Sequence, residues 1–130
     1  MEILLDTNFI LTCVLQKIDF VELSEEMFNE KLNWILPKQV INELKKIEKD
    51  LKQKRKFREG AKLSLEILET MNLKIVDLNK NPNIDIAIKD YIFDKPIILA
   101  TNDKGLKKRV KNRILSIRGP KSLILECNNS

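Results

Sequence analysis

The chain has 130 residues, enough for one domain around one hydrophobic core. Its 43% apolar share is that of a globular protein, and no apolar run approaches the roughly 20 residues that span a bilayer, so disorder and a membrane span are excluded. A net charge of +5 suits a polyanionic partner, while the absence of histidine excludes His-based zinc sites and His general bases.

The first residues carry acids early and lack a basic n-region, so they do not read as a signal peptide. A cytoplasmic protein with no membrane partner is expected. Residues 2–5 (EILL) form a short apolar strand that ends in Asp6-Thr7-Asn8, a turn able to cap a helix. Helix is predicted at 9–15 and again at about 18–31. Ser24, followed by Glu25 and Glu26, looks like a helix start because acids favour the positive end of the dipole. Residues 33–36 (NWIL) form the second strand, and Pro37 suits the first turn of the next helix. Val40, Ile41, Leu44, Ile47 and Leu51 give that helix an apolar stripe. A further amphipathic helix is predicted over 59–72.

Residues 74–78 (KIVDL) form the third strand, followed by a turn at 79–83 (NKNPN) and a short helix over about 85–93. Residues 96–100 (PIILA) make a fourth strand that is apolar throughout, so it is expected to be buried on both faces. A short basic helix covers 104–111. Residues 114–117 (ILSI) form a fifth strand, and 120–125 a last helical turn. Two cysteines, Cys13 and Cys127, are too few for a disulfide framework and read as reduced thiols. Three glycines cannot build a phosphate-binding glycine loop.

Strand and helix alternate. That pattern predicts an α/β fold, a three-layer sandwich with a central parallel sheet of four to five strands. One domain is expected over 1–127, with a tail at 128–130. Ligands of such sheets bind at the carboxyl ends of the strands. Asp6 closes the first strand and Asp103 follows the fourth, so neighbouring strands would bring both carboxylates to one crevice. Glu43 lies on the helix after the second strand, and Asp85 begins the helix after the third. Each has a plainer alternative: Asp6, Asp85 and Asp103 as helix caps, Glu43 as a solvated residue of a Glu/Lys-rich helix. The paired phrases LLDTN and LATND are harder to read that way. Carboxylates about 4 Å apart repel by roughly 4 kcal/mol at an effective dielectric near 20, so such a cluster takes up protons or cations. Oxygen donors alone favour Mg²⁺, Mn²⁺ or Ca²⁺ over zinc. Basic clusters at Lys45-Lys46, Lys52 to Arg58 and Lys107 to Arg113 would attract phosphate, or simply form a lysine-rich solvated surface.

At these residues the sequence resembles the PIN domain family, from about residue 2 to residue 125. The resemblance is carried by LLDTNFIL, LPKQVINELKKI, NIDIAI, ILATNDKGLKKRV and ILSIRGPKSLIL. It implies a PIN-like fold and a Mg²⁺- or Mn²⁺-dependent endoribonuclease with Asp6, Glu43, Asp85 and Asp103 as catalytic and metal-binding residues. Asn8, Thr101 and Asn102 would support them, and Lys107, Lys108, Arg109 and Lys111 would contact RNA phosphates. The long second motif and basic tail look most like archaeal relatives of small-subunit ribosomal-RNA processing nucleases, with an rRNA precursor as partner. VapC-type toxin ribonucleases are the next neighbours. A homodimer fits the family habit.

Two positions depart from the pattern. Ile86 and Gly105 stand where many relatives carry further acids, which also admits a non-catalytic RNA-binding or assembly module. Aspartyl-phosphate chemistry is disfavoured because Asn8, not an acid, stands two residues after Asp6.

Overall fold

The computed structural model describes residues 1–127; the tail expected at 128–130 lies outside them. Six strands form one sheet in the order β3-β2-β1-β4-β5-β6. They are β1 (Glu2–Leu5), β2 (Asn33–Pro37), β3 (Leu73–Val76), β4 (Ile97–Ala100), β5 (Ile114–Arg118) and β6 (Ser122–Glu126). The helices are α1 (Thr7–Leu15), α2 (Phe20–Phe28), α3 (Lys38–Lys49), α4 (Arg55–Glu69), α5 (Ile84–Ile92) and α6 (Lys104–Arg109). β1 through β5 run parallel, and β6 returns antiparallel to β5.

The two central strands, β1 and β4, have no polar side chain between Ile3 and Leu5 or between Ile97 and Ala100, and these residues are all buried. The pleat sends alternate residues to opposite faces, so two cores form. Ile3, Leu5, Ile98 and Ala100 pack with Phe9, Ile10 and Cys13 of α1, Val40 and Leu44 of α3, and Ala61 and Leu68 of α4. Leu4, Ile35, Leu99 and Ile114 pack on the other face with Ala87, Ile88 and Ile92 of α5 and Leu106 of α6. Helices on both faces make the three layers. An edge-to-face run of Phe9, Phe20 and Trp34, with centroids 5.7 and 5.5 Å apart, anchors α2 on the first core.

Several boundaries differ from the sequence reading. The predicted last helical turn is instead β6: Gly119, at φ +64, turns the chain so that Arg118 pairs with Ser122 and Ile114 with Glu126. The sheet therefore has six strands rather than four or five. α2 starts at Phe20 and is capped by Asp19, whose Oδ1 accepts from the Glu22 amide at 3.1 Å, and Ser24 is buried in mid-helix rather than at its start. α3 stops at Lys49, leaving Leu51 83% exposed and outside the apolar stripe. α4 begins at Arg55, earlier than its apolar spacing indicates, and ends before Met71. Pro37 closes β2 and stands just ahead of α3.

β1 sits where the strand order reverses, with β2 on one side and β4 on the other. At such a switch point the helices leave in opposite directions and open a crevice at the carboxyl ends of the strands.

Candidate functional site

The pairing of Leu5 with Ala100 brings the next residues of both strands together. The Asp6 amide donates to the Ala100 carbonyl at 3.1 Å, and the Thr101 amide to the Leu115 carbonyl at 3.0 Å, so the ladders hold up to the site itself. Asp6 Oδ1 accepts from the Thr7 amide at 2.9 Å, and Oδ2 accepts from Thr101 Oγ1 at 2.8 Å. Thr101 Oγ1 in turn accepts from the Asp103 amide at 3.1 Å. Asp103 Oδ1 caps α6 by accepting from the Leu106 amide at 3.1 Å. One hydroxyl thus joins the two acids that end neighbouring strands. The cap role and the site role coexist in Asp103.

Asp6, Glu43, Asp85 and Asp103 line one cleft of about 320 Å³, with Thr7, Asn8, Leu11, Ile47 and Ile84. Glu43 faces it from α3. Asp85 reaches it from the first turn of α5, and the cap of that helix is Asn83 rather than Asp85. Three side chains prepare this helix start. The Asn81, Asn83 and Asp85 amides donate in turn to Asn79, Asn81 and Asn83 Oδ1 at 3.0, 2.9 and 3.0 Å. Each asparagine folds the chain two residues ahead, a local turn that this side chain is the right length to make. Gln39 of α3 ties this loop down: its Nε2 donates to Asp77 Oδ1 at 3.0 Å, and its Oε1 accepts from the Leu78 amide at 3.2 Å.

The electrostatics of the cleft run against negative charge. Burial pushes Asp6 up to about 6; the Thr101 hydroxyl opposes this, while Asp85 and Glu43 add repulsion. Burial also raises Glu43, opposed by the nearby Thr7 hydroxyl, with Asp85 raising it and Lys46 lowering it. Asp85 is raised by burial and by Asp103, against the pull of Arg109. Carboxylates that raise one another in this way favour any cation that enters among them.

The remaining predicted residues divide. Asn8 lines the cleft and accepts from Thr12 Oγ1 at 3.2 Å. Thr101 is fully buried between the two acids. Asn102 turns away, its Oδ1 accepting from the Ile117 amide of β5 at 2.9 Å, so it braces the loop. Lys107 is bonded to Glu126 Oε2 of β6 at 3.1 Å, which also accepts from Ser116 Oγ at 3.0 Å. Lys108, Arg109 and Lys111 are exposed.

Sequence reasoning missed Gln39, the asparagine series and the apolar lining of Leu11, Ile47 and Ile84. The alternation of Asn at 79, 81 and 83 was the available signal for the second of these. The donor set suits a hard divalent cation, being oxygen only, and the buried Thr7 Oγ1 has no hydrogen-bond partner of ordinary geometry. Among the described residues, no three acidic, thiol or imidazole side chains converge tightly enough to cage an ion as they stand. The side chains would have to turn toward one another around it.

A crevice at the β1/β4 switch point, lined by an acid from each βα unit, defines a class of α/β protein. Within that class the chain belongs to the PIN-like domain family, whose profile matches residues 3–119. It is 33% identical to Ribonuclease VapC4 of Methanocaldococcus jannaschii over 108 residues, covering 81% of this chain and 79% of that one. It is 32% identical to Ribonuclease VapC9 of Archaeoglobus fulgidus over 109 residues, covering 83% and 74%. Among solved structures, the PIN domain endonuclease Utp24 superposes with a TM-score of 0.78 at 26% identity, covering 97% of this chain and 91% of that chain.

Proposed function

We propose that this protein is a metal-dependent endoribonuclease, acting as one domain over residues 1–127 in the cytoplasm. The observation that carries this reading is the lining of one cleft by Asp6, Glu43, Asp85 and Asp103, with Asp6 raised toward neutrality by burial and by its neighbours. The ribonuclease names of the two relatives support RNA as the substrate.

Asp6, Asp85 and Asp103 would hold Mg²⁺ or Mn²⁺, which when bound stabilises charge developing on the phosphodiester oxygens and eases loss of a proton from water. Thr101 holds Asp6 and the Asp103 backbone in fixed relation. Glu43, raised by burial, orients the attacking water or helps hold a second ion. Asn8 borders the same space, and Lys108, Arg109 and Lys111 attract the substrate backbone. Lys107, bonded to Glu126, fixes α6 beneath these cations and carries less of the RNA contact.

An RNA-processing role, with a ribosomal-RNA precursor as target, fits the family resemblance of the motifs. The VapC names of both relatives favour a second reading, a toxin ribonuclease. Growth arrest on expression in a bacterial host, relieved by Asp6→Asn, would select the toxin. Cleavage itself is tested by incubating wild type and an Asp6→Asn/Asp103→Asn variant with structured and single-stranded RNA in Mn²⁺, Mg²⁺ or EDTA. Cutting by wild type alone, abolished by EDTA, is expected. RNA binding without any cutting would point instead to a degenerate binding module.

A further inference from the structure

A second cationic surface adjoins the cleft on the side away from α6. Glu43 and Lys46 are three residues apart on α3, so they are neighbours on its surface, and Ile47 of the same turn lines the cleft. Lys45, Lys46 and Lys49 border a shallow concavity with Asp50. The chain then runs through Lys52 and Lys54 into Arg55 and Lys56, the start of α4. The second turn of α4 packs against a residue of the cleft: a Cβ on Gly60 would lie 3.2 Å from Leu11 Cδ1, and Leu11 lines the cleft.

Helix physics explains part of this charge and not the rest. Lys46 and Lys49 occupy the last turn of α3, where cations are favoured. Lys54, Arg55 and Lys56 occupy the N-cap and first turn of α4, which has no acid there, so the dipole works against them. Arg55 is partly compensated by Glu59 at 2.8 Å. Among the described residues, Lys45, Lys46, Lys49, Lys52, Lys54 and Lys56 have no carboxylate within ion-pair distance. The nearby Arg58 Nε is buried without a hydrogen-bond partner. Local cost retained on one connection beside a cleft marks a surface kept for a ligand.

We infer that the α3–α4 connection is a second phosphate-binding rim, so that a single RNA strand crosses the acidic cleft between Lys46, Lys49 and Lys52 on one side and Lys108, Arg109 and Lys111 on the other. This rests on the nuclease reading. The acids repel phosphate, and cations on both flanks hold the backbone across them. Among the described residues no aromatic side chain lines the cleft, so the strand is held there by its phosphates and riboses rather than by stacked bases.

Binding of a labelled single-stranded RNA is measured in EDTA across a salt series, for wild type, Lys46→Gln/Lys49→Gln and Lys17→Gln/Lys31→Gln. The last pair removes equal charge at the cavity between α2 and α4, away from the acids. Each phosphate contact contributes about 0.7 to the slope of log affinity against log salt for single strands. The rim variant should lose about 1.4 of slope and roughly 20- to 30-fold in affinity at about 0.1 M salt. Lys46→Arg/Lys49→Arg should restore both. Wild-type affinity and slope in the rim variant, or an equal loss in the Lys17/Lys31 variant, overturns the rim. The same proteins are then assayed for cleavage in Mn²⁺. Rim-dependent binding with no cleavage by wild type would remove the nuclease reading and leave the rim standing. Cleavage by wild type with an indifferent rim variant would remove the rim alone.

Discussion

Asp6 is 6% exposed, and its two oxygens accept from one amide and one hydroxyl. A buried carboxylate with so little compensation binds its proton more tightly in the folded chain than in the unfolded one, from an ordinary 3.8 up to about 6. The folded, metal-free protein therefore holds its full Asp6 contribution below about 4 and loses it as pH rises through 6. The loss amounts to about 3 kcal/mol. Asp6→Asn removes the titration, so in EDTA the stability of the variant relative to wild type should rise by that amount between about pH 4 and 7. Urea denaturation at a series of pH values reads this directly. At subsaturating Mn²⁺ cleavage should rise with pH, because the cation competes with the Asp6 proton, and it should be lost in the variant. Thr101 acts on the same carboxyl. Thr101→Val leaves both Asp6 Oδ2 and the Asp103 amide without their partner and should cost about 1–3 kcal/mol for each buried group orphaned. It also removes the bond that holds Asp6 down, so in EDTA the Asp6 titration should move to higher pH.

At the level of elements, the approach to α5 shows how a loop of polar residues acquires one shape. Asn79, Asn81 and Asn83 each fold the backbone onto themselves, and the last caps the helix that carries Asp85. Asn83→Ala should cost about 1 kcal/mol, a usual value for a lost cap. It should lower cleavage further than that stability loss explains, because Asp85 loses its fixed entry to the cleft; melting curves and cleavage rates on the same preparations separate the two effects.

The strands were legible as apolar runs closed by Asp6 and Asp103, and the parallel order followed from their alternation with helices. Other boundaries were not legible, each for a physical reason. The early start of α4 is a run of cations without apolar period, so nothing local marks it. Leu51 has the right spacing for the α3 stripe, but the helix has already ended. SLILE reads as helix or strand on composition alone; only the partner β5, together with the turn at Gly119, decides for a strand. Missing β6 also hid the Lys107–Glu126 pair, and with it the bracing role of a residue read only as an RNA contact.

For the whole molecule, the site is a property of topology. Asp6 and Asp103 were recognisable as a pair from the matched phrases LLDTN and LATND, while the adjacency of β1 and β4 was only a condition, which the register of Leu5 with Ala100 meets. The direction of Asn102, toward β5, depends on a strand fifteen residues away and was beyond local reading. Whole-molecule stability should also respond to ions. A divalent cation at about 100 times its Kd adds about 2.7 kcal/mol to a fold that binds it only when native. The melting temperature of wild type should climb by several degrees in Mn²⁺ or Mg²⁺, while Asp6→Asn/Asp103→Asn stays level; a parallel rise in both proteins would remove the acids from any role in holding the ion.

The position of β4 has a consequence for the chain as it is made. β1 is made before the other five described strands, yet the neighbour that completes it comes after β2 and β3 in sequence. Until that strand slots in, Asp6 has no Thr101 beside it and no Asp103 across from it. The cleft can therefore form only after β4 has been made and has paired with β1, however early Asp6 appears.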